Sequence, residues 1–159
     1  MPEAAQSAPA AAPGAQPGTS IDPYRAYNFK LQIQGVNEGH FTACSGLDIE
    51  VEAIPYREGG VGQVVHQIPG QVIYGAITLS YGLTASNELF QWLLTAVRGT
   101  VERRNVSILM LDSGGTTEVL RWDLTNAWPS RWCGAPLDAQ SHEVAIESLT
   151  LVCETITRG

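Results

Sequence analysis

Apolar and polar positions alternate with a period of two over most of the chain, and that rhythm predicts short strands. Tyr27, Phe29, Leu31 and Ile33 interleave with Asn28, Lys30, Gln32 and Gln34, the signature of a half-buried strand. A second strand begins near Phe41, breaks at Ser45-Gly46, and continues through Leu47, Ile49 and Val51 with Asp48, Glu50 and Glu52 on its other face. The glycine-rich stretch from Tyr56 to Gly62 then reads as the tip of a long hairpin, because glycine supplies the positive φ that tight turns need. Its return arm, Gln63 to Ile68, is expected to stop at Pro69-Gly70. Such a hairpin is long for what one domain can bury, so it calls for a partner.

Ile73, Ile77, Leu79 and Tyr81 mark a further strand. One helix follows, from about Ser86 to Arg98. Ser86 is the expected cap, Glu88 sits in the positive first turn, and Leu89, Leu93 and Val97 with Phe90 and Leu94 make one apolar stripe. Gly99 is the left-handed stop. Beyond it, Arg104 to Leu111 and Glu118 to Leu124 form a hairpin around Asp112-Ser113-Gly114-Gly115. Pro129, between Trp128 and Trp132, places that segment at an edge or a bend. The last strand, Glu143 to Ile156, changes phase. A bulge near Glu147-Ser148 explains this, and so does a strand that passes from one packing surface to another.

The fold class is therefore mainly β, with two packed antiparallel sheets (a sandwich or barrel), one flanking helix and a long hairpin extension. Residues 1–21, built of Ala, Pro, Gly, Gln and Ser, read as a flexible arm before a β-domain over 22–159, since they carry too little apolar surface to offset ordering entropy. The arm lacks the basic start and apolar run of a signal peptide, and no stretch is long and apolar enough to insert in a membrane.

The formal charge of −7 leaves no basic face for nucleic acid. Cys44, Cys133 and Cys153 have no CxxC spacing and read as buried small hydrophobes in a reducing compartment. His40, His66 and His142 are scattered without a second ligand nearby, so neither a metal nor a cofactor is expected. The glycine-rich tip lacks the Lys-Ser/Thr of a phosphate loop. Asp123, Ser141 and His142 can be imagined as a hydrolytic set, but no Gly-x-Ser-x-Gly elbow accompanies them. Paired acids read better as strand faces. Arg103 and Arg104 suit a neighbour's carboxylates, while Trp128 and Trp132 divide between core and subunit contact.

A series of motifs runs in order along the chain. It comprises Asp22-Pro23-Tyr24-Arg25, Tyr27-Asn28-Phe29, Cys44-Ser45-Gly46-Leu47, Tyr56-Arg57-Glu58-Gly59-Gly60, Ile68-Pro69-Gly70, Ile77-Thr78-Leu79, Gly82-Leu83-Thr84, Trp128-Pro129 and Leu149-Thr150-Leu151. The series resembles the tail tube proteins of contractile phages and of phage-tail-like extracellular injection particles, over about residues 22–156. The resemblance implies a non-enzymatic subunit, assembled in the bacterial cytoplasm, whose hexameric rings stack into a hollow tube. Its partners would be its own copies, other tube proteins, and sheath and baseplate subunits, with effector protein or DNA passing unbound through the lumen. It implies either the repeating subunit or the initiator at the baseplate, the Ala/Pro-rich arm being a departure from the plain tube pattern.

The expected contact residues are Tyr56, Arg57, Glu58, Gly59, Gly60 and Val61 at the tip, Asp48, Glu50 and Glu52 on the outgoing arm, Arg103, Arg104, Trp128 and Trp132. The competing readings are a monomeric β-sandwich binding module and a small hydrolase.

Overall fold

The structure, a computed structural model, describes residues 28–35, 41–60, 62–83 and 85–159. The proposed arm, Val61 and His40 lie outside these residues. The elements in chain order are β1 (Phe29–Ile33), β2 (Phe41–Ser45), β3 (Ile49–Tyr56), β4 (His66–Tyr74), β5 (Ile77–Gly82), α1 (Glu88–Val97), β6 (Arg104–Leu111), β7 (Glu118–Cys133), β8 (Ile146–Val152) and β9 (Thr155–Arg158). All pairings are antiparallel.

One long strand joins the two layers. The first half of β7 pairs with β6 and β9, and β1 lies beyond β6. Its second half pairs with β8, followed by β5 and β2. The changeover falls at Asn126, which has a positive φ of 52°. Asn tolerates the left-handed region better than most residues, and here its amide also donates to the Glu154 carboxylate at 2.8 Å. Opposite it the register of β6 slips between Arg104 and Val106, so the strand bends where it changes partners.

The inner faces of both layers meet in one core. Leu31, Val106 and Leu124 come from one layer, and Ile77, Leu79, Leu149 and Leu151 from the other. Helix α1 packs against β7 and buries Leu89 and Trp92. The Trp92 indole donates to the Glu102 carbonyl at 2.7 Å, which ties the helix to the turn that follows it. The helix ends as Gly99 requires: its φ is +81°, its N–H meets the Ala96 carbonyl and that of Thr100 the Thr95 carbonyl, the Schellman arrangement.

Five expectations need correction. The cap position is Asn87, with no side-chain cap, and the helix begins later than Ser86. The buried stripe runs through Leu89 and Trp92, while Val97 is exposed, because the helix meets β7 along one narrow side. Strand β4 does not stop at Pro69-Gly70 and continues to Tyr74. A proline is tolerated there because β4 has one strand partner among the described residues, and a bulge at Gly70-Gln71 absorbs the disturbance. Finally, β8 keeps an unbroken register with β5, so no bulge sits at Glu147-Ser148. The passage between surfaces, the other explanation, occurs at Cys153-Glu154, where the chain leaves β8 and becomes β9. Cys44 is half-buried and Cys153 buried, but Cys133 is exposed at the end of β7.

Candidate inter-subunit surfaces

The hairpin of β3 and β4 stands away from the body. Among the described residues these two strands pair only with each other, and every residue of β3 is exposed. Its root is tightly built: Gly46 has φ +91° and a Cβ there would strike the Ala76 carbonyl, while the Gly75 N–H donates to the Asp48 carbonyl at 2.9 Å. The hairpin therefore leaves the sandwich at a fixed point.

Register assigns its faces, because directly opposed residues share one. Ile49 lies opposite Tyr74 and Val51 opposite Val72, and Ala53 with Pro69 and Pro55 with Gln67 continue that face past the bulge. It carries no charge. The other face bears Glu50, Glu52, Ile54 and Tyr56 from β3, and Ile68 and Ile73 from β4. Ile49, Val51, Ile54, Ile68, Val72 and Ile73 are all between 44% and 53% exposed. Tyr74, at the base of the uncharged face, packs against the core, but beyond it the apolar side chains on both faces of the ribbon are exposed.

The anticipated residues fall in three places. Glu50, Glu52 and Tyr56 lie on β3 and Asp48 at its root, all exposed; Arg57, Glu58, Gly59 and Gly60 form the exposed tip. A Cβ at Gly59 or Gly60 would meet nothing within 4 Å. Arg103 and Arg104 belong to a separate group beside the helix and have acids on their own chain. Arg103 faces Glu154 at 3.5 Å, and Arg104 faces Glu102 at 3.2 Å with its guanidinium 5.2 Å from the Trp92 ring centre. Trp128 and Trp132 lie in the second half of β7, where a bulge at Ser130 puts them on opposite faces. Trp132 sits across from buried Leu149 and packs on Phe90 at 5.2 Å, whereas Trp128 sits across from Val152 on the outer side. The Trp132 indole N–H is buried without a partner among the described residues.

Sequence reasoning missed the uncharged hairpin face, since Ile49 and Val51 were placed opposite the acids without a partner on the return arm, and Ile73 was assigned to the next strand. The available signal was apolar residues on both sides of a glycine tip, at positions that no second core can reach. It also missed an apolar groove of about 560 Å³ at one end of the sandwich, lined by β1, β2, β6 and β7.

The imagined hydrolytic set does not form around Asp123. Its carboxylate accepts from the Ser107 hydroxyl at 2.5 Å and from Arg121 Nε at 2.8 Å. These bonds, that from Ser107 first, hold it below the usual carboxylate range. Ser141 and His142 are exposed in the connection between β7 and β8. Burial pushes the Cys44 thiol up to about 11 and raises that of Cys153, the opposite of what a nucleophile needs. Among the described residues no cluster could hold a metal ion, and no helix is long and apolar enough to cross a membrane.

Comparison with known proteins places this architecture. The sequence model of the T4-like virus tail tube protein gp19 family matches residues 25–157. No curated protein sequence matches. Among solved structures, a chain in the cap of the anti-feeding prophage (AFP tube terminating cap) is 29% identical with a TM-score of 0.79, covering 89% of this chain and 93% of that one. A chain in the PVC sheath–tube complex of an extracellular contractile injection system is 29% identical with a TM-score of 0.77, covering 86% and 91%. A chain in the six-fold symmetrised AFP baseplate is 27% identical with a TM-score of 0.75, covering 87% and 97%.

Proposed function

The chain belongs to the T4-like virus tail tube protein family, and from that premise we propose that it is an inner-tube subunit of a contractile injection particle or phage tail. Copies form hexameric rings that stack around an open lumen, inside a sheath and upon a baseplate. The observation that carries this reading is the hairpin: an apolar ribbon on a fixed root, exposed among the described residues, is what an assembling subunit must present. The outer edges of the sheets, unpaired among the described residues, argue likewise, since ring closure removes edges that would otherwise invite aggregation. Relatives drawn from sheath–tube, cap and baseplate structures, the last with six-fold symmetry, support these partners. Their identities are nearly equal, so they favour the tube role without favouring the repeating subunit over the initiator.

The mechanism is mechanical and needs no turnover. Rings joined by hairpins hold the lumen open and move as a rod when the sheath shortens. The hairpin acids and Arg103 with Arg104 serve contacts between copies, exchanging their partners on assembly. A surface of net charge −7 limits adhesion of DNA or acidic effector protein in transit.

Purified chain mixed with baseplate complexes and viewed by electron microscopy tests the proposal. Hollow cylinders growing with added chain are expected. Baseplates that stay bare at every concentration, with the chain monomeric beside them, would refute it.

A further inference from the structure

Two crossings between the layers fall at one corner of the molecule. Strand β7 changes partners at Asn126, and the chain passes from β8 to β9 through Cys153 and Glu154. Glu154 ties the two crossings together. Its N–H donates to the Thr125 carbonyl at 3.0 Å, and its carboxylate accepts from the Asn126 side-chain amide at 2.8 Å. The Asn126 N–H donates in turn to the Asn105 side-chain oxygen at 3.2 Å, across the register slip of β6. Arg103, at 3.5 Å from Glu154, is the loosest member, so its transfer to a neighbour's acid leaves the Asn126 bond in place.

This clamp is a poor source of stability. The Glu154 side chain is 53% exposed, and an exposed ion pair adds little to folding. Stability at the corner comes from Val106, Leu124, Ala127, Cys153 and Ile156, buried in the segments that meet there. Apolar packing has no preferred direction, whereas a hydrogen bond weakens steeply when bent. The core therefore holds the layers together and leaves their angle to the bonds at the corner.

We propose that Glu154 is a positioning residue that sets the angle between the two layers, and with it the curvature at which copies close into a ring. Among the described residues the sheet path ends in β1 on one layer and in β2 on the other. Copies joined edge to edge around a ring then meet one neighbour through each layer, and the bend of β7 enters the rotation from copy to copy. A head-to-tail contact closes only when that rotation completes a turn; otherwise it gives open or uneven assemblies.

This inference rests on the tube reading, and its test separates the two. Glu154→Ala removes the acceptor, while Glu154→Gln keeps one for Asn126 without the charge. Asn126→Gly, which accepts the left-handed backbone but lacks the amide, is the parallel variant should the alanine chain fail to fold. Residual dipolar couplings of the full-length monomer read the layer angle, and electron microscopy of assembled cylinders reads ring size. In the natural chain and in Glu154→Gln, one alignment tensor should fit both layers and the rings should have one size. Glu154→Ala and Asn126→Gly should need a separate tensor for each layer and give rings of mixed size or none that close. Single tensors and uniform rings in those two variants overturn the clamp and leave the tube reading intact. Uneven rings in Glu154→Gln as well overturn it too, since the Asn126 bond then does not set the angle. Separate tensors in Glu154→Ala, from a natural chain that forms no ring, keep the corner's hold on the layers and remove the tube reading.

Discussion

Replacing Val51 and Val72 together by Thr separates folding from assembly. The two side chains lie opposite each other on the uncharged hairpin face, 50% and 45% exposed. Thr keeps the branched shape and the strand preference, so the ribbon itself is preserved. In the isolated subunit the new hydroxyls meet water, and the change in folding free energy should stay within about 0.5 kcal/mol, as for surface substitutions generally. In a dry contact between copies each hydroxyl is buried without a partner, at a cost of roughly 1–3 kcal/mol. Two of them weaken every contact by about 2 kcal/mol at the low end, or about thirtyfold. Urea unfolding followed by tryptophan fluorescence reads the first quantity, and sedimentation of assembled tubes against concentration reads the second. A double variant that assembles at the normal concentration refutes the role given to this face. One whose unfolding midpoint collapses shows instead that the face is covered within the monomer.

Other outcomes follow from local geometry. Gly46→Ala should destabilise the subunit by several kcal/mol or abolish folding, since its Cβ meets the Ala76 carbonyl at positive φ, whereas Gly59→Trp should leave the unfolding midpoint unchanged and block assembly; urea titration and electron microscopy distinguish them. Asn126→Val should cost about 1–2 kcal/mol from the left-handed backbone alone, while Asn126→Gly removes that strain and loses only the Glu154 bond; a glycine variant less stable than the valine one would contradict this. Asp123 has a lowered native pKa, so the stability it contributes is fully present above the unfolded value of about 4 and is lost as pH falls below it. Asp123→Asn should flatten the acid limb of a stability–pH curve relative to the natural chain, and an unchanged limb would show that this carboxylate has no special native partners.

Legibility in the sequence followed physical locality. Strict alternation in β1, the Asp112 to Gly115 turn and the stop at Gly99 depend on neighbouring residues alone, and all three are found in the structure. The hairpin's length was legible for the same reason, and among the described residues its apolar side chains are left exposed. What escaped depends on distant partners. Pro69 ends a strand only when both edges are paired, and β4 has one strand partner among the described residues. The phase change in the last strand pointed to two surfaces, but its position at Cys153 is fixed by the bend of β7 at Asn126. Trp128 and Trp132, four apart, looked equivalent until the bulge at Ser130 turned one inward and the other outward. The groove was invisible, because it arises from four strands, β1, β2, β6 and β7, brought together only by the fold.

The most direct test is high-resolution cryo-electron microscopy of intact particles from cells that make this chain. The account predicts six copies per ring around an open central channel, with each β3–β4 hairpin lying against another copy. Density that places the chain outside that channel, or central rings whose hairpins touch only solvent, would contradict it.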